Sequence, residues 1–92
     1  MTTVTDFGEQ LSVLERIIVA PCTGIFRPAP PRVVTTEGEL VERGQVIGAV
    51  ELSGDSIEVR SAFTGFLMGV LAWDGDRVRE GQPVAWLREV GA

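Results

Sequence analysis

The chain has 92 residues, 45% of them hydrophobic and 23% charged, with a formal net charge of −5. That length supports one domain with one core, burying about 60–65% of the unfolded surface. The acidic balance argues against nucleic acid or an anionic membrane as partner, since phosphate contacts need clustered Lys and Arg, and the absence of histidine removes the usual general base and the commonest metal ligand.

Residues 1–16 carry Asp6 as a helix cap and Phe7, Leu11 and Leu14 at i, i+4 and i+7, which predicts a short helix with one apolar stripe or, equally, a frayed tail. Asp6, Glu9 and Glu15 stand where a signal sequence would be basic. The longest mostly apolar run, Phe63 to Trp73, is too short to span a bilayer. The expectation is a soluble cytoplasmic protein.

Strands are predicted at Ile17 to Val19, Gly24 to Arg27, Leu40-Val41, Gln45 to Leu52, Ile57 to Ala62, Gly65 to Leu71, Arg77-Val78 and Pro83 to Leu87. Eleven glycines and five prolines punctuate them, as closely spaced turns in an all-β domain require. Pro28-Ala29-Pro30-Pro31 is semi-rigid and extended because proline fixes φ, and Arg27 and Arg32 bracket it. It reads as a stiff connection or as a docking loop. Cys22 reads as a small buried hydrophobe and allows no internal disulfide; Trp86 alternates with Val84 and reads as core; Trp73, at a turn edge, reads as a contact residue.

Two halves of the chain repeat. Residues 37–50 align without a gap on residues 74–87, with Gly38, Val41, Gly44 and Gln45 recurring as Gly75, Val78, Gly81 and Gln82. Residues 20–26 align on 61–67, with Gly24 recurring as Gly65, so the first half carries extra residues in its proline-rich segment. Two copies are too few for a solenoid, whose faces would stay uncovered, and imply a small pseudo-symmetric barrel or sandwich. Between the halves, Ser53-Gly54-Asp55-Ser56 predicts the turn of a protruding β-hairpin.

This pattern resembles the biotinyl/lipoyl carrier-domain family. The likeness rests on Ala20 to Gly24, Glu37-Gly38, Val41, Gly44-Gln45, Val50-Glu51, Ser61 to Gly65 and Asp74 to Leu87, and covers about Ile17 to Leu87. Each motif is weak by itself, and their order and spacing carry the likeness. Within the family the chain is most similar to the carrier of acetyl-CoA carboxylase. Gly24 to Pro30 is similar to the start of the thumb insertion of those carriers, in shorter form. The resemblance implies an all-β, biotinyl/lipoyl-like flattened barrel over residues 17–89, with tails at 1–16 and 90–92.

One departure decides the functional expectation. Family carriers read Glu-Ala-Met-Lys-Met at the turn and hold biotin on the lysine amine, whereas counting from Glu51 places Gly54 at the lysine position. All eight basic residues are arginines, and a guanidinium stays protonated where an amine could react. The chain is therefore expected to carry neither biotin nor lipoate, to hold no metal and to be no enzyme. The implied role is a pseudo-carrier that binds, and regulates or scaffolds, an acyl-CoA carboxylase assembly, contacting a biotin carboxylase or carboxyltransferase subunit through Ser53, Gly54, Asp55 and Ser56, through Arg27, Pro28, Pro30 and Arg32, and through Trp73. The other reading is an accessory protein that reuses the fold to hold a small molecule or support an unrelated biosynthetic enzyme, with a homodimer left open.

Overall fold

A computed structural model describes residues 14–32, 34–36 and 38–90, and the described residues form strands without a helix. The strands are β1 Glu15–Val19, β2 Gly24–Pro28, β3 Val34–Thr35, β4 Gly38–Val41, β5 Val46–Leu52, β6 Asp55–Arg60, β7 Gly65–Val70, β8 Arg77–Val78 and β9 Pro83–Glu89. They make two antiparallel sheets, one ordered β1-β9-β7-β4-β3 and the other β6-β5-β2-β8. This all-β pair of sheets has the architecture of a flattened barrel. Among the described residues no helix is long and apolar enough to cross a membrane.

The sequence repeat becomes a pseudo-twofold in the fold. β1, β2, β4 and β5 of the first half correspond to β6, β7, β8 and β9 of the second, and the two sheets repeat one strand order. Neither half can fold alone, because β1 pairs with β9 of the other half and β7 pairs with β4. The unmatched strand, β3, lies in the longer connection of the first half.

Hydrogen bonds obey the same symmetry. Gly81 N donates to Ala20 O while Ala20 N donates to Gln82 O, both at 2.8 Å; at the matched positions Gly44 N donates to Ser61 O at 2.7 Å and Ser61 N to Gln45 O at 2.9 Å. The two repeated glutamines each accept one turn amide on Oε1, Gln45 from Glu42 and Gln82 from Arg79, both at 3.0 Å. Thr64 and Thr23 likewise accept the amides of Arg43 and Glu80 on their hydroxyls. A glutamine recurs at both positions because each turn amide, without a strand partner, must be satisfied by a side chain.

The core is paired too. Ile18 and Val59, Val41 and Val78, and Val50 and Leu87 occupy matched positions and are all buried, with Phe26 and Val84 filling the space between the sheets. Gly24 and Gly65 mark the closest approach of backbone to backbone: an added Cβ would collide with the carbonyl of Glu51 at one and of Arg88 at the other. No other residue fits there without moving a strand.

Several expectations change against the structure. β1 begins at Glu15, so Glu15 and Arg16 are strand residues and not part of a tail, Arg16 stacking over Phe63 at 4.9 Å and pairing with Glu89 at 2.7 Å. The predicted helix from Asp6 lies outside the described residues, apart from Leu14. Trp86 is half-buried and not core: a register shift beside Val19 turns both Val84 and Ala85 inward, which puts Trp86 on the outer face, its indole over Gly69. Cys22, expected to be a small buried hydrophobe, packs against the core but is only half-buried.

Candidate functional site: an overhanging hairpin

The β5–β6 hairpin has a tighter turn than its sequence predicts. Leu52 pairs with Asp55 and Glu51 with Ser56, so only Ser53 and Gly54 make the reversal, while Asp55 and Ser56 belong to β6. The reason is conformational. Ser53 has φ 51° and Gly54 φ 87°, and positive φ at both central residues is the two-residue turn whose twist matches that of the strands.

Beyond Val50 and Val59, which are buried, residues 51–58 are all exposed. The hairpin thus overhangs the body by about three residues a strand, roughly 10 Å at 3.3 Å per residue. Its underside carries two apolar side chains beside Asp55, the cross-strand partner of Leu52. Ile57 pairs with buried Val50, and Leu52 follows Val50 on the same face, yet they are 43% and 45% exposed. Sequence reading missed these two residues, although the alternation of Val50 with Leu52 and of Ile57 with Val59 pointed to them. Around the tip, Ile25 and residues 51–56 line an open depression of about 460 Å³.

The other predicted contact residues form a second group. Pro28 pairs with Gly48 and Ile25 with Glu51, so β2 carries its proline end away from the hairpin tip. The register separates Pro30 and Arg32 from Ser53, whereas Pro28 and Trp73 come together on a depression of about 420 Å³ that Val70, Ala72 and Asp74 also line. Trp73 is 80% exposed, as its turn-edge position suggested.

Arg27 links the two groups. Its Nε donates to Glu51 Oε1 at 3.3 Å, at the base of the hairpin, and its Nη1 to Asp74 Oδ1 at 3.2 Å, in the turn after Trp73. The hydrogen bond from Asp74 and then that from Glu51 raise the guanidinium pKa above its ordinary value. The turn itself is fixed by Asp76, whose carboxylate accepts the Trp73 amide at 2.8 Å. Among the described residues no cluster of His, Cys, Asp and Glu could hold a metal ion.

Comparison with known proteins follows the same lines. The family model for biotin-requiring enzymes, of biotin/lipoyl type, matches residues 18–87. No curated protein matches the chain. Urea carboxylase from Kluyveromyces lactis contains a similar structure, with a TM-score of 0.68 and 25% identity over 86% of this chain and 7% of that one. An aspartoacylase family protein from Mesorhizobium loti shares the fold, with a TM-score of 0.63 and 22% identity over 100% of this chain and 27% of that one. The chain thus spans a small part of either protein. With the family model matched over residues 18–87, most of its length, the chain belongs to the biotin/lipoyl family of carrier-type domains.

Proposed function

We propose that this chain is a pseudo-carrier, a carrier-type domain that takes a carrier's place in an acyl-CoA carboxylase assembly without holding a prosthetic group. The observation that carries the reading is the hairpin tip. The resemblance puts Gly54 at the attachment position, and Gly54 is the second central residue of the turn, where an added Cβ meets nothing within 4 Å. A biotinyl or lipoyl group needs an amine there. Neither Ser53 nor Gly54 supplies one, and the chain has no lysine to supply it from elsewhere. The residues present do not fit the group, and no transfer step runs through this chain.

What remains is recognition. An overhanging hairpin with Leu52 and Ile57 on its underside presents apolar area that a partner can cover, and Asp55, Ser56 and Glu51 give its rim polar contacts. A biotin carboxylase or carboxyltransferase subunit is the partner to which the likeness to a carboxylase points. Binding there would hold off or space the true carrier.

The test is affinity capture of the tagged chain from its host lysate, compared with a Leu52→Ser, Ile57→Ser variant. Recovery of a carboxylase subunit by the parent chain and its loss in the variant is the expected result; recovery by neither would sink the pseudo-carrier reading. The exposed indole of Trp73 favours a second reading, an accessory domain that supports an unrelated enzyme, and that reading predicts capture of such an enzyme in a manner sensitive to Trp73→Ala.

A further inference from the structure

The depression beside Trp73 is a binding groove of recognisable chemistry. It is lined by Ala72, which is buried, and by Pro28, Val70, the exposed indole of Trp73 and Asp74. Aromatic-lined grooves of this kind take polyproline II segments, which arrive already ordered and so lose little entropy on docking. An acid among the residues that line such a groove selects a segment flanked by a cation.

The chain itself carries that ligand. Pro30, Pro31 and Arg32 are exposed and follow the groove wall at Pro28 within a few residues. Ala29 N donates to Ile47 O at 2.9 Å, tying the chain to β5 just before the run, and the fixed φ of the two successive prolines keeps the run extended. We propose that the Trp73 groove receives the Pro30-Pro31-Arg32 run of a second copy of this chain. In a twofold pair each run would lie in the other copy's groove, which closes the pair without leaving a free site. Arg32 of one copy then meets Asp74 of the other. Arg27 occupies Oδ1 of that carboxylate, which has capacity for a second donor. The contact stands apart from the hairpin underside, so it holds or fails independently of the pseudo-carrier role.

Sedimentation velocity of the full chain over a range of concentrations tests it, with Trp73→Ala and Arg32→Glu variants whose fold is checked by circular dichroism. The expected result is a monomer–dimer equilibrium with a dissociation constant of about 1–100 μM, weakened at least about tenfold by either substitution. In parallel, a synthetic peptide Arg-Pro-Ala-Pro-Pro-Arg should shift the Trp73 emission of a Trp86→Phe chain. A monomer at every concentration overturns the proposal, even if the peptide binds, since the groove would then serve another protein's proline-rich segment. A dimer indifferent to both substitutions overturns it as well, and would assign the contact to the outer face around Ile17 and Trp86.

Discussion

Ser53 is a serine held where serine is rarely comfortable. At φ 51° its Cβ crowds the backbone, and the turn tolerates it because Gly54 beside it takes the wider positive φ without cost. Asparagine is the preferred first residue of this turn. Ser53→Asn should therefore raise stability by about 0.5 kcal/mol, and Ser53→Val should lower it by about 1–2 kcal/mol, the cost of forcing a β-branched residue into the left-handed region; thermal unfolding of the pair checks both signs. Glu39 offers a pH test. Burial raises its carboxyl above its ordinary value of 4.5, partly offset by a hydrogen bond from the Arg32 backbone. A raised acid binds its proton more tightly folded than unfolded, so its contribution favours the fold at low pH and is lost as pH rises through the interval from 4.5 up to the folded value. Glu39→Gln should remove that decline, and denaturant titrations below and above the interval would show it.

At the scale of elements, the hairpin divides into a covered base and an uncovered tip, and substitutions should divide with it. Phe26→Ala, in the core beneath the base, should cost about 3–5 kcal/mol, a large share of the roughly 5–15 kcal/mol that holds such a domain together. Leu52→Ser with Ile57→Ser, at the uncovered underside, should change stability by less than about 1 kcal/mol while abolishing partner capture, because the residues have little in the free protein to lose. Most strands were legible in the sequence because each half spells its turns with glycine and repeats the spelling. Other features were not. The two-residue strand β3 is too short to show a period. Trp86 reads as core until the register shift beside Val19 reverses the parity of β9. The placement of the candidate contact residues relative to one another comes only from the register, in which Ile25 pairs with Glu51 and Pro28 with Gly48, so that the proline run leaves β2 at the end away from the hairpin tip. Pairing register is a long-range property, and a list of local signals does not contain it.

For the molecule as a whole, the two halves are interleaved so that each clasps the other through the same three residues, Gly44, Gln45 and Ser61 in one case and Gly81, Gln82 and Ala20 in the other. Such a body can lose its cargo site without losing its shape, because nothing in the clasps or the core depends on the hairpin tip. That independence predicts a conversion. Replacing Leu52, Ser53, Gly54 and Asp55 by Ala, Met, Lys and Met should leave the fold intact at a cost of about 1–2 kcal/mol for the lysine at positive φ, and should make the chain a substrate for a biotin–protein ligase, read as the gain of one biotinyl group in intact mass; the parent chain should gain none.

The central claim is that the unmodified hairpin occupies a carrier's docking place. Its most direct measurement is competition: the rate at which a purified biotin carboxylase carboxylates its authentic biotinylated carrier, with increasing amounts of this chain added. The account predicts inhibition that is overcome by more carrier and relieved by Leu52→Ser with Ile57→Ser. A rate unchanged at every concentration, or inhibition that the hairpin substitutions leave intact, would contradict it.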